Sequence, residues 1–160
     1  MEAVGPQASF DDRLPCELLL DARADHEAAT VEFLRCRELD GSAARPASAL
    51  PQSQFERHVR HAIERLSEDQ LATLDGALVV VTDLPGAEVV ADGVDPRASV
   101  LLDALAQDGA VRAGRVFVYQ RNVERLVDAV SKLEDELLRL LQTELGATFP
   151  SLAPPAASDK

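Results

Sequence analysis

Arg115-Val116-Phe117-Val118-Tyr119-Gln120-Arg121-Asn122, running on into Val123-Glu124-Arg125, is the stretch on which the fold turns. Val116 to Tyr119 is β-branched and aromatic, as a strand requires. Gln120, Arg121 and Asn122 then form a polar turn. Beyond it Leu126, Val127, Val130, Leu133, Leu137, Leu138, Leu141 and Leu145 recur at helical spacing, predicting one long amphipathic helix over about 123–145. Asn122, the chain's only asparagine, is placed to cap that helix.

Working outward, Ala77 to Thr82 is a continuous apolar, β-branched run, expected as a strand covered on both faces and ended by Pro85-Gly86. Before it, Ser53 is expected to cap a helix carrying Phe55, Val59, Ala62, Ile63 and Leu66. Ser67-Glu68-Asp69-Gln70 then reads as a helix restart. Residues 87–114 are interrupted by Gly93, Pro96, Gly109 and Gly114, with a short helix expected over 99–107. Towards the N-terminus, residues 1–13 read as a polar arm, and Leu18 to Leu20 suit either a strand or a helix. Asp25 caps an expected helix through Arg37. Gly41 to Pro51 is a linker of small residues and prolines. The organisation is therefore an N-terminal extension and linker over 1–50, a domain over 51–153, and a disordered tail over 154–160 introduced by Pro150, Pro154 and Pro155.

Composition narrows the function. The 160 residues are 46% hydrophobic and 28% charged, with a net charge of −12. Such an acidic chain repels phosphate backbones and anionic lipid, so neither nucleic acid nor a membrane is an expected partner. No apolar run reaches the length of a bilayer span, and the N-terminus lacks a basic start followed by an apolar stretch, which points to the cytoplasm. Without Trp and with a single Tyr, the core must be aliphatic.

Few residues carry recognisable chemistry. There is no Gly-rich phosphate loop, no GxSxG and no HExxH. His58 and His61 lie three apart on one helix, a spacing that can chelate a metal, but Glu56, Arg57, Arg60 and Glu64 around them favour a solvated face. His26 is expected in the first turn of its helix. Cys16 and Cys36 have no CxxC partner and read as free thiols.

The phrase Tyr119-Gln120-Arg121-Asn122, followed by Glu124-Arg125, resembles that of a bacterial family of minimal zincin-like metallopeptidases. In that family a strand ends in "YQRN-x-ER" and a later helix carries HExxHxxGxxD. The segment from Phe55 to Leu66 and the strand from Leu78 to Thr82 are also similar to the family's first helix and first strand, so the resemblance covers about residues 53–153. It implies that two histidines on one helix face hold zinc and that the Glu after the first takes a proton from the zinc-bound water. Aligned to that pattern, Glu144 falls at the general base, Thr143 and Ala147 at the histidines, Pro150 at the glycine and Ala153 at the last ligand. Placing Gly146 at the glycine instead puts Arg139 and Thr143 at the histidines, which is worse. Thr and Ala are not zinc ligands at neutral pH, so no metal or other cofactor is expected.

The resulting expectation is an α+β fold: a small zincin-like domain with a few-stranded sheet packed against a first helix and a long C-terminal helix. Its expected role is non-catalytic, through binding another protein or through structure. Glu144 is a vestigial general-base position, and Tyr119, Gln120, Arg121 and Asn122 are a structural motif. Two alternatives stand beside it. One is a zinc peptidase using Glu144 with displaced ligands such as His58, His61 or His26. The other is an acidic adaptor unrelated to peptidases, docking through residues 15–39.

Overall fold

The computed structural model describes residues 15–107 and 110–152. Among these described residues the fold is α+β, with a three-stranded mixed sheet and six α-helices. Helix α1 spans Pro15–Ser42, α2 Gln52–Glu64 and α3 Glu68–Thr73. Strand β1 (Leu78–Thr82) and the short α4 (Ala87–Ala91) come next, followed by β2 (Val100–Gln107), β3 (Ala110–Tyr119) and α5 (Gln120–Glu124). Helix α6 (Leu133–Thr148) ends the regular structure, with a single 3-10 turn on either side of it.

Strand β3 is central, parallel to β1 and antiparallel to β2. Because side chains alternate along a strand, Val116 and Val118 enter the core. Phe117 and Tyr119, out of phase by one, stack on the opposite face with ring centroids 6.5 Å apart. The core lies between the sheet, α2 and α6. Phe55, Val59 and Ala62 of α2 meet Leu133, Leu137, Leu141 and Leu145 of α6, each spaced so that one helical stripe is buried.

Several sequence expectations hold. Ser67 opens α3 with a full capping box, its hydroxyl accepting from the Gln70 N–H while the Gln70 amide oxygen accepts from the Ser67 N–H. The 78–82 and 116–119 strands form in the expected places. Leu18 to Leu20 are helical, within α1.

Others are corrected. Strand β1 is not covered on both faces: it is an edge strand, with Leu78 61% and Val79 41% exposed. Residues 99–107 are not a helix. They supply β2, because an antiparallel partner exists directly downstream in β3. Ser53 lies inside α2, whose N-cap is Pro51. Asp25 does not begin a helix, since α1 runs unbroken to Ser42. The long C-terminal helix is divided: α5 ends at Glu124, Ala129 is extended, and α6 starts only at Leu133. One straight helix cannot both dock its first turn against the loops that grip Gln120 and Asn122 and lay Leu133 to Leu145 along α2. Leu126 and Val130, which fit the helical stripe in sequence, are exposed at the break. Glu134, Asp135 and Glu136 then supply the acidic first turn that favours a new helix start.

The segment from Ala43 to Pro51 is fastened rather than loose. The N–H of Leu50 donates to Glu124 Oε1 at 3.0 Å, and its carbonyl accepts from Gln120 Nε2 at 2.8 Å. Helix α1 is tied down too, by Arg37 Nε donating to the Pro85 carbonyl at 2.6 Å. The expected arm over 1–13 and the tail over 154–160 lie outside the described residues. No helix among those described is long and apolar enough to cross a membrane.

Candidate functional site

The Tyr119–Asn122 phrase is a junction on which four segments converge. Tyr119 ends β3, and its N–H donates to the Ser99 carbonyl at 2.9 Å. Its ring is buried, and burial followed by the nearby Glu88 charge pushes its hydroxyl pKa up. Gln120 is 1% exposed, and its Nε2 donates to Glu124 Oε1 at 2.7 Å as well as to Leu50. Arg121 reaches the opposite way: its N–H donates to the Asp83 carbonyl at 3.1 Å and its Nη1 to the Asp40 carbonyl at the end of α1.

Asn122 does not cap a helix. It is buried within α5, and its Nδ2 donates to the carbonyls of Pro96 at 2.9 Å and Ala98 at 2.7 Å. Its Oδ1 accepts from Arg125 Nη1 at 3.3 Å, and Arg125 continues to Asp40 Oδ2 at 2.9 Å. The Arg125 hydrogen bond, with further attraction from Arg125 and Arg97, holds the Asp40 carboxyl below the usual carboxylate range. Buried carbonyls need donors, and an asparagine amide supplies two from one side chain. The motif is therefore a clamp, built from amide and guanidinium donors aimed at backbone carbonyls. Asp40 is a member that sequence reading misses, since it carries no local signal at all; Glu124 stands in the quoted phrase without a role of its own.

Helix α6 presents the positions aligned to a zinc helix. Thr143 is exposed, and its hydroxyl donates to the Arg139 carbonyl one turn back at 2.8 Å. Ala147 is exposed, and Pro150 lies in the 3-10 turn beyond the helix. Ala153 lies outside the described residues. Glu144 is half-buried on α6, near the Leu102 backbone of β2. Burial pushes its pKa above the ordinary glutamate value, and the favourable influence of the nearby Leu102 backbone offsets only part of the effect.

The histidines stand elsewhere. His58 and His61 project from α2 to Glu134, in the first turn of α6, with both Nδ1 atoms on the same Oε1 at 2.8 and 3.1 Å. These hydrogen bonds hold the Glu134 carboxyl below its ordinary pKa. Glu144 is ten positions further along α6, about 15 Å away at 1.5 Å per residue. His26 is not in a first turn but midway along α1, exposed and beside Gly93. The structure thus does not bring these three histidines to Glu144. Among the described residues, no three His, Cys, Asp or Glu side chains stand, as they are, around a centre that could hold a metal ion. Cys36 is a free, half-buried thiol; the side chain of Cys16 is outside the description.

No family model matches the chain. It is similar to the UDP-N-acetylglucosamine 1-carboxyvinyltransferases of Helicobacter pylori strain P12 and Helicobacter acinonychis strain Sheeba, at 30% identity over 100 residues in each case. The similarity covers 58% of this chain but 23% of those proteins, so the chain matches under a quarter of the length of these relatives.

Proposed function

We propose that this chain is a minimal zincin-like protein whose zinc centre has been lost, acting without catalysis as a protein-binding or structural element. The observation that carries the reading is the state of Glu144. A general base must face a metal-bound water, whereas this carboxylate lies half-buried beside the Leu102 backbone of an edge strand. Around it Thr143 spends its hydroxyl on its own helix and Ala147 has no donor atom. The order of elements also supports the resemblance: a first helix α2, the strand β1, a β-hairpin, then the Gln120–Asn122 junction and a helix bearing Glu144. With no imidazole on α6, Glu144 has no metal-bound water beside it to activate.

The partial likeness to a carboxyvinyltransferase spans too little of that enzyme to assign a transferase role to any residue here. A peptidase assay decides the proposal. The full chain, supplied with zinc, is expected to leave peptide and casein substrates intact. Zinc-dependent hydrolysis abolished by Glu144→Gln would overturn it. The variant T143H/A147H supplies the missing imidazoles at the spacing zinc needs, and it is expected to bind zinc at α6.

A further inference from the structure

We propose that this chain pairs with a second copy of itself through the free edge of β1, joining the two sheets into one. The inference goes beyond the non-catalytic reading and does not depend on Glu144. Among the described residues β1 pairs only with β3, in an unbroken parallel register from Leu78 to Thr82, and its other edge carries no strand. Natural sheets blunt such an edge with charge, proline or a bulge. Strand β2, at the opposite side of the sheet, follows that rule, with Asp103 and a register shift between Asp103 and Ala104. Strand β1, Leu-Val-Val-Val-Thr, has none of these devices, and Leu78 and Val79 lie 61% and 41% exposed.

Symmetry and charge together select the occupant. In an antiparallel pairing about a two-fold axis, the register that uses the whole strand sets Val80 opposite the partner's Val80 and Val79 opposite the partner's Val81. Directly opposed residues share a face, so β-branched side chains meet at every central pair. The same axis governs α2. Its Glu56, Arg60 and Ile63 line a groove with Val79 and Val81, so this stretch of helix lies alongside the middle of β1. Glu56 and Arg60, one turn apart, therefore exchange across the axis: Glu56 faces the partner's Arg60, and Arg60 faces the partner's Glu56. Within one chain the two do not pair, although their spacing permits it. Glu56 accepts from Gln52 Nε2 at 3.0 Å, and among the described residues Arg60 has no acidic partner. An unrelated extended peptide would satisfy the strand but offer no such reciprocal match.

The adjustment required is small. The Val81 carbonyl now accepts from Gln52 Nε2 at 3.3 Å, a long hydrogen bond from an exposed side chain. In the paired sheet the N–H of the partner's Val79 takes that place. Backbone ladder and apolar edge supply the affinity, while the Glu56 and Arg60 contacts select the partner and fix the register. The net charge of −12 on each copy opposes association at long range. At about 0.15 M salt the screening length is about 8 Å, which weakens that repulsion more than it weakens pairs in contact.

The test is sedimentation velocity on the full chain at moderate salt, from micromolar to millimolar concentration. A monomer–dimer equilibrium is expected. Arg60→Glu sets like charges against each other at both contacts and should weaken the dimer roughly tenfold or more, as should Glu56→Arg. The double variant E56R/R60E restores opposite charges and should return dimerisation to near that of the parent. Arg60 is exposed, so these variants should melt as the parent does. Leu78→Lys gives β1 the charge that natural edges carry and should abolish pairing without touching α2. Amide exchange in β1 should slow with concentration in the parent and not in L78K. A monomer at every concentration overturns the proposal and leaves the edge to a segment of some other protein. A dimer that L78K and R60E leave unchanged overturns it as well, and so does a charge swap that fails to restore pairing.

Discussion

Glu144 on α6 lies half-buried beside the Leu102 backbone of β2, so a carboxylate from the last helix is set against an outer strand of the sheet. Burial raises the pKa of this carboxyl, which means the native state holds its proton to higher pH than the unfolded chain does. The ionised form is therefore costly at neutral pH, and the contribution of Glu144 to stability improves as pH falls through its native-state pKa. Glu144→Gln should leave stability at pH 7 unchanged or raised by up to about 1 kcal/mol. The gain should vanish towards pH 4. Parallel thermal melts of the two proteins across this range check it; a loss of several kcal/mol at pH 7 would show that the negative charge itself is needed.

Asn122→Ala removes both donors to Pro96 and Ala98 and strands two carbonyls. Each unsatisfied buried group costs about 1–3 kcal/mol, so a loss of about 2–4 kcal/mol is expected from denaturant midpoints. An N-cap would have cost about 1 kcal/mol, and a value that small would contradict the clamp.

Gln120→Ala should free the Ala43–Pro51 segment locally, because the Leu50 carbonyl loses its donor while the Leu50 N–H keeps Glu124. Hydrogen exchange is expected to accelerate over residues 43–50 and stay slow in α6 and β3. Equal acceleration everywhere would mean that Gln120 serves global stability instead.

Asp40 gives the opposite pH dependence to Glu144. Its carboxyl is depressed by Arg125, so its contribution is present above the ordinary aspartate pKa and lost as pH falls through the lower native-state value. Arg125 and Arg97 are well exposed, which limits the contribution to about 1 kcal/mol or less. Asp40→Asn should be slightly less stable than the parent at pH 7, and the two should converge in acid, once pH falls below the lowered native-state pKa. A gap that stays constant with pH would assign the effect to packing.

Part of the candidate site was legible in advance. Tyr119 to Asn122 stand out because a strand pattern ends there abruptly in polar residues, whereas Thr143, Glu144 and Ala147 are picked out only by the resemblance to the zincin-like family. Sequence alone shows only the neighbours of Asn122 and so suggests a local capping role for it. Its true partners, Pro96 and Ala98, are carbonyls more than twenty positions upstream. Glu134 was passed over for the same reason: nothing near it in the chain hints that His58 and His61 face it from α2.

Apolar periodicity and capping chemistry are properties of short stretches, and from them alone come α2, α3, β1, the end of β3 and the buried stripe of α6. Pairing partners, edges and breaks are set by what long-range packing permits. Residues 99–107 became a strand because β3 offered them a hydrogen-bond ladder, and the helix expected over about 123–145 split because its two ends answer to different neighbours. No stretch of chain read in isolation contains those neighbours, so the chain's folded arrangement alone settled them.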